Sequence, residues 1–548
     1  MLATSQEQLD SLHPSPKLPT MPERFFNNAG PNDCQRHYCL DPLARIDLED
    51  VETLIDQARY FVLHAPRQTG KTSSLLALMQ HLNAQTTYRC LYVNLEIAQA
   101  AREAIPRAIR LILDELVANA EFYLQDATLR PIRDEIIATG AEEGGFAQLL
   151  MAWSQRQSRP LVLLLDEVDA LVGDTLIALL RQLRAGYSKR PAAFPQSIIL
   201  CGVRDVRDYR IHSSRSQAII TGGSAFNIKA KSIRMGDFSR DDTFTLLRQH
   251  TQQTGQRFTD EALACIWWLT QGQPWLVNAL AYEITFGQRE HRDRRRTLTE
   301  DAVYRAKESL IAERVTHLDQ LADKLGEARV RRVIEPLLAG DTERHQYHTR
   351  DIEYLVDLGL IKREPSGQLR IANSIYQEII PRELTWALQS DIHQEQSWYV
   401  QPDGRLDLPK LLGAFQQFFR EHSEHWLERF DYKEAGPQLL MQAFLQRIVN
   451  GGGRIEREYG LGRMRTDLLI VWPYPQGTQK VVIELKILHK SLAATLAEGL
   501  QQTVDYLDRS GAEAGHLVIF DRSAKPWADK LFQRQETQQG WTICVWGM

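Results

Sequence analysis

The chain has no long apolar run: acids interrupt every hydrophobic stretch well before the roughly 18 residues that a helical membrane span needs, so no membrane partner is expected. The opening stretch, MLATSQEQLDSLHPSPKLPT, lacks the basic start and apolar core of an export signal, and a soluble cytoplasmic protein is the expectation. Cysteine is sparse. The six (Cys34, Cys39, Cys90, Cys201, Cys265, Cys544) show no paired spacing, which excludes a zinc module or a disulfide framework and suits reduced thiols. A large excess of charge of one sign is also missing: 25% charged residues give a formal net charge of only −5, so any contact with nucleic acid must come from a local patch.

With 548 residues the chain is too long for one hydrophobic core, and at about 150 residues per domain three or four modules are expected. Residues 1–24, with Pro14, Pro16, Pro19 and Pro22, read as a loose arm. Tyr60 to Leu76, YFVLHAPRQTGKTSSLL, reads as a buried strand, a loop and a helix. That order builds a triphosphate cradle from Ala65, Pro66, Arg67, Gln68, Thr69, Gly70, Lys71, Thr72 and Ser73: loop N–H groups and Lys71 take phosphates, and the Thr72 hydroxyl ligates Mg²⁺. Ala65 replaces the usual first glycine. Pro66 biases it to extended backbone, which a residue leaving a strand adopts without needing glycine.

The aromatic-rich segment 25–45 ahead of the loop either contacts a purine or simply packs. Further strands are expected at Arg89 to Leu95, at Leu161 to Leu165 and at Ser197 to Val203. The third of the four ends in Asp166 and Glu167, where an open α/β sheet places chemistry. Asp166 would hold Mg²⁺ through water opposite Thr72, and Glu167 would polarise the attacking water; the plain alternative is a helix cap. Arg204, capping the fourth strand, either senses the γ-phosphate or pairs with Asp205 or Asp208.

Residues 236–312 read as helices (Asp237 to Thr254, Thr259 to Leu269, Pro274 to Thr285, Glu300 to Ala312), with Gln271-Gly272-Gln273-Pro274 between the second and third. The motifs HAPRQTGKT, LDEVDAL, LCGVRDVRDY and TQGQPWLVNALA, in this order across residues 25–385, resemble the AAA+/STAND class of ATPases, and more closely a group of bacterial ATP-binding proteins. The resemblance implies an ATPase core (25–235), a helical lid (236–312) with Pro274 near the adenine, and a winged helix (313–385). The basic run 289–296, REHRDRRR, is either a solvated loop or a phosphate contact, and Thr297 with Glu300 has the spacing of a capping box. The second helix of the winged-helix pattern carries Asp351, Glu353 and Asp357, which would repel DNA phosphate; the resemblance implies instead that this module packs on the nucleotide core and reports whether ATP or ADP is bound.

Residues 386–430 read as a helical connector. From 431 to 548 the pattern becomes helix, three strands (Arg454 to Tyr459, Asp467 to Trp472, Lys480 to Leu485), a long helix, a strand at His516 to Phe520, a helix near Trp527 to Gln533 and a last strand. Glu484 and Lys486 share a face, and Asp467 heads the neighbouring strand, an arrangement suited to a divalent metal and phosphodiester attack. This order resembles the PD-(D/E)XK nucleases, which implies Mg²⁺ on Asp467 and Glu484, Lys486 near the water nucleophile, and auxiliary positions at Glu458 and at Gln501 or Gln502. Gln438 and Gln442 stand where many members carry a glutamate. The whole reads as an α/β protein: a P-loop NTPase (AAA+/STAND) core with a lid and winged helix, followed by a restriction-endonuclease-like domain. ATP would gate a Mg²⁺-dependent DNA nuclease in defence or mobile-element biology, with a homo-oligomer and a protein trigger left open. The alternative is a switch or scaffold whose C-terminal domain binds DNA or a protein without cutting.

Overall fold

In a computed structural model of the chain, the structure describes residues 23–204, 210–213, 218–221, 226–313, 323–338, 347–384, 399–427, 436–449, 453–458, 466–488 and 491–548. Most of the N-terminal arm, the Asp205 and Asp208 alternatives for Arg204, and both ends of the connector lie outside them.

The first sheet is parallel throughout. It holds β1 (Tyr60–His64), β2 (Arg89–Asn94), β3 (Leu161–Asp166), β4 (Ser197–Gly202) and, past a small hairpin of β5 (Arg210–Ser213) and β6 (Ala218–Thr221), β7 (Lys229–Arg234), in the order β2-β3-β4-β1-β7. Alternate residues of β1 serve two separate cores. Tyr60 and Val62 pack with Ile109 and Ile112 of helix Ile105–Leu124, whereas Phe61 and Leu63 pack with Leu75 and Leu78 of helix Lys71–Ala84.

Four strands are legible in the apolar runs; β7 is not. Its sequence KAKSIR is partly exposed, because an edge strand needs one apolar side at most and lysines discourage further pairing. Its presence puts β1, and the loop that β1 feeds, inside the sheet rather than at its edge.

The helical segment runs Arg240–Thr254, Asp260–Thr270, Pro274–Tyr282 with a π-turn to Gly287, and Glu300–Ala312. Thr297 and Glu300 form no capping box. Leu298 is drawn into a bridge with Phe258, so the last helix starts after Thr299, which makes no side-chain cap. The reciprocal box occurs at Ser239 and Asp242. The polar N-terminal segment straps these helices to the core, with Asn32 N–H donating to Ser73 Oγ at 3.0 Å and Trp275 Nε1 donating to the Asn28 carbonyl at 2.8 Å.

Helices Ala328–Leu338 and Thr349–Asp357 precede a hairpin of β8 (Ile361–Arg363) and β9 (Leu369–Ile371). Helix Ser374–Leu384 follows and packs against Asp260–Thr270 on one side and against helix Gly436–Val449 and β10 (Arg454–Glu458) on the other. One buried cluster is therefore continuous from Phe26 through Leu280, Ile334 and Ile380 to Phe444 and Trp546.

The second sheet has six strands in the order β10-β11-β12-β13-β15-β14, with β11 (Thr466–Tyr474), β12 (Gly477–Ile487), β13 (Ala514–Phe520), β14 (Phe532–Gln538) and β15 (Trp541–Gly547). β10, β11 and β12 form an antiparallel meander, and β13 and β15 add in parallel. The helix expected to reach Gln533 stops at Lys530, and FQRQETQ is the antiparallel edge strand β14. Its Gln- and Glu-rich composition favours a helix locally, and pairing with the apolar β15 overrides that preference.

Within the shared core Lys307 is buried and lies 2.6 Å from Glu378 and 3.0 Å from Glu308. Burial alone would depress its pKa, but the two carboxylates together hold it above the ordinary lysine value. Glu378→Ala leaves that charge without its buried partner and is expected to cost about 3 kcal/mol, read as a lower urea midpoint for the transition that includes helix Ser374–Leu384.

Candidate nucleotide site and a second acidic site

β1 delivers Ala65, buried and hydrogen-bonded through its N–H to the Gly202 carbonyl at 3.2 Å, and the chain then turns through Pro66. Arg67 and Gln68 are exposed at the tip, with Gln68 in the left-handed region. Thr69 Oγ1 closes the loop on the Pro66 carbonyl at 2.7 Å. Gly70, with φ of +90°, opens helix Lys71–Ala84, and no side chain caps that end. The positive φ calls for glycine here, and a Cβ would also stand 3.0 Å from the Arg45 guanidinium. The helix start keeps its first N–H groups for an anion. Lys71 Nζ lies beneath the loop, donating to the carbonyls of Ala65 at 3.1 Å and Pro66 at 3.0 Å.

The acids at the end of β3 meet this loop. Thr72 Oγ1 donates to Asp166 Oδ2 at 2.7 Å, and Tyr92 Oη donates to the same oxygen at 3.1 Å. Asp166 Oδ1 accepts the Glu167 N–H at 2.9 Å, which turns Glu167 into the left-handed region with φ of +53°. Glu167 is half-buried. Its pKa is raised chiefly by that burial, with Lys71 pulling it down and Asp169 and Asp166 adding to the rise. A hydroxyl and a fully buried carboxylate in contact are a donor set that Mg²⁺ fits, and a carboxylate of raised pKa beside them is suited to water activation.

Arg204 meets the helix-and-hairpin unit. Its Nε is 3.7 Å from Asp357 Oδ2 and its guanidinium lies 4.8 Å from the Tyr354 ring centre, while His64 Nδ1 is 3.8 Å from Asp357 Oδ1. Asp357, read from sequence only as one of three acids on a helix, is thus buried against two strand ends of the first sheet. Two residues on, Gly359 has φ of +75°, and a Cβ there would come within 2.8 Å of Pro66 Cγ. Lys362 of the following hairpin reaches Asp237 at 2.6 Å and the Gln271 carbonyl at 3.0 Å. The helix-and-hairpin unit therefore sits directly on the loop and on the Gln271-to-Pro274 turn.

Pro274 lines a cleft of about 100 Å³ together with Asn28, Asn32, Gly70, Ser73, Trp275 and Asn278, so segment 25–45 borders the cleft as well as packing. In the basic run, Arg294 pairs with Glu23 at 2.7 Å, Arg295 with Asp293 at 2.9 Å, and Arg292 donates to the Phe286 carbonyl at 2.9 Å, so these three cations are engaged within the chain.

In the second sheet the register aligns Glu458 with Asp467 and Asp467 with Glu484, one cross-strand row of three acids. Glu484 is fully buried, and neither of its oxygens has a hydrogen-bond partner; Oε1 is 3.3 Å from Lys486 Nζ. A buried carboxylate in that condition, next to the register position of a second acid, fits a divalent cation. Among the described side chains no group of three His, Cys, Asp or Glu comes together to hold a metal. Lys486 is also 3.3 Å from Glu498 of helix Leu492–Ser510, and Glu498 accepts from Gln502 Nε2 at 3.4 Å. Of the two glutamines singled out, Gln502 faces Lys486's surroundings, whereas Gln501 bonds Asp505 and Gln539. Glu498 escaped the sequence reading, although its i,i+4 relation to Gln502 placed it on that helix face. Gln438 and Gln442 are both buried.

The five-stranded parallel sheet, its loop and the Asp166-Glu167 strand end define a P-loop ATPase core of AAA-like type. The chain belongs to the family described as AAA-like domain, which matches residues 43–380. The matched span ends before β10, so the second sheet lies beyond it. Similar solved structures include the Walker-type ATPase of Pyrococcus abyssi (14% identity, TM-score 0.43, 62% of this chain and 96% of that one). Cdc6p of Pyrobaculum aerophilum matches at 16% identity, TM-score 0.34, 63% of this chain and 93% of that one. The RuvB Holliday junction branch migration motor of Thermotoga maritima matches at 14% identity, TM-score 0.30, 59% of this chain and 92% of that one. No curated protein matches. No described helix is long and apolar enough to cross a membrane.

The raised pKa of Glu167 means the folded state binds its proton more tightly than the unfolded chain does. Folding is then penalised once pH rises through the folded pKa, and the penalty is absent where both states are protonated. Glu167→Gln is expected to raise the thermal midpoint at pH 7.5, by a difference that shrinks towards zero near pH 4; a constant difference across that range would show that the charge is not its source.

Proposed function

We propose that the chain is an ATP-operated switch that gates a Mg²⁺-dependent phosphodiesterase acting on DNA. The observation that carries this reading is the docking of the helix-and-hairpin unit, read as a winged helix, on the loop that would hold the triphosphate: Gly359 on Pro66, and Asp357 on Arg204 and His64. Asp357 occupies Arg204 with a carboxylate, the charge type that a γ-phosphate would bring. Helix Ser374–Leu384 joins the same unit to the second sheet, which gives a displacement at the loop a route of rigid packing.

In this account residues 65–73 bind the phosphates, and Lys71 exchanges the Ala65 and Pro66 carbonyls for them. Thr72 and Asp166 hold Mg²⁺, which supplies positive charge against the β- and γ-phosphates. Glu167 orients the attacking water and takes its proton. Arg204, released from Asp357, turns to the γ-phosphate. Pro274 covers the base. In the second sheet Asp467 and Glu484, with Glu458 in support, hold a metal, and Lys486 stands by the nucleophilic water. The domain limits given above from sequence, with the connector up to residue 430, describe the division of labour. A cytoplasmic location, self-association and a protein trigger belong to the same reading.

One observation favours a non-cutting switch: helix Gly436–Val449 presents Gln438 and Gln442, amides where an acid would strengthen metal binding. The two readings part in a single assay. ATP turnover is expected to fall at least about a hundredfold in Lys71→Ala and Glu167→Ala. Plasmid cutting in Mg²⁺ or Mn²⁺ is expected to depend on ATP and to vanish in Asp467→Ala and Lys486→Ala, while Asp357→Ala cuts without ATP. Cutting that survives Asp467→Ala and Lys486→Ala removes the nuclease assignment, and DNA binding with no cutting under any condition selects the switch.

A further inference from the structure

One residue lining the cleft beside Gly70 carries a polar atom that the folded chain leaves unused. Asn278, on helix Pro274–Tyr282, is only 5% exposed and lines the cleft. Its Nδ2 donates to the Pro274 carbonyl at 2.9 Å. That carbonyl is an acceptor only, so the amide cannot be turned round without setting oxygen against oxygen. The orientation leaves Oδ1 buried with no hydrogen-bond partner. An unmet buried acceptor costs free energy unless something in the cleft donates to it.

Of the other groups lining the cleft, Trp275 Nε1 is held by the Asn28 carbonyl and the Ser73 hydroxyl accepts the Asn32 N–H. Arg45 donates to the Thr69 and Gly236 carbonyls and lies over the Phe238 ring. Burial lowers its pKa to about 10, with Asp237 and Asp242 opposing, so it stays cationic at neutral pH. The cleft adjoins the helix start at Gly70 and Ser73, within reach of a base whose phosphates lie on the loop.

We infer that Asn278 Oδ1 reads the exocyclic 6-amino group of adenine and so makes the cleft selective for adenine over guanine nucleotides. The 6-amino group of adenine donates to an acceptor, whereas guanine carries a carbonyl oxygen at the same position and would place two acceptors face to face. The assignment rests on the reading of the loop as an ATP site, and goes beyond it in naming the atom that selects the base.

The test is equilibrium binding of ATP, GTP and purine riboside 5′-triphosphate, which lacks the 6-amino group, to the full chain and to Asn278→Ala. In the unaltered chain ATP is expected to bind about tenfold more tightly than purine riboside triphosphate, and GTP more weakly still. In Asn278→Ala, ATP and purine riboside triphosphate are expected to bind within about twofold of each other, because the group that distinguishes them has no partner. Equal binding of ATP and purine riboside triphosphate by the unaltered chain overturns the assignment without any variant. A tenfold preference that persists in Asn278→Ala overturns it as well. Failure of all three to bind removes the nucleotide reading and this assignment with it.

Discussion

The contact on which the molecule turns is the seating of Gly359 against Pro66. It can form only because Gly359 lacks a side chain and takes a positive φ, and because Pro66 presents a rigid ring at the first turn of the loop. Once seated, it carries Asp357 into a site where two basic side chains, His64 and Arg204, end adjacent strands of the parallel sheet. The Asp357 carboxylate is buried there beside the Arg204 guanidinium and the His64 ring. In the proposed switch the helix-and-hairpin unit and the γ-phosphate would compete for Arg204.

Mechanical continuity follows from packing rather than from any single bond. The lid-side helices, the hairpin unit, helix Ser374–Leu384 and the second sheet share one buried cluster, and the Lys307–Glu378 pair ties the bridge inside it. Cores of this density do not deform gradually. Under the proposed switch, a change at Pro66 would be passed on as a shift of whole elements rather than as a gradual deformation.

Much of the first site was legible because its chemistry is local. A buried strand, a glycine at positive φ, a lysine and a hydroxyl stand within a dozen residues, and Asp166-Glu167 end an apolar run. What was not legible was set by tertiary pairing. β7 and β14 are polar edge strands whose composition carries no strand signal, and both are held by an apolar neighbour, β1 or β15. Thr297 had the spacing of a cap, but the Phe258–Leu298 bridge moved the helix start past it. Asp357 was legible as an acid and not as a neighbour of two strand ends, since nothing nearby in sequence points to His64 or Arg204. In the second sheet the residue types and strand order were visible, whereas the alignment of Glu458, Asp467 and Glu484 in one row and the approach of Glu498 to Lys486 follow from register.

The central claim, that nucleotide on the loop unseats the hairpin unit, is tested most directly by amide hydrogen exchange across residues 352–361. With a non-hydrolysable ATP analogue and Mg²⁺ the account predicts faster exchange in this stretch than with ADP, together with a change in helix Ser374–Leu384. Equal protection in the two states, with binding at the loop verified by protection of residues 65–73, would contradict it.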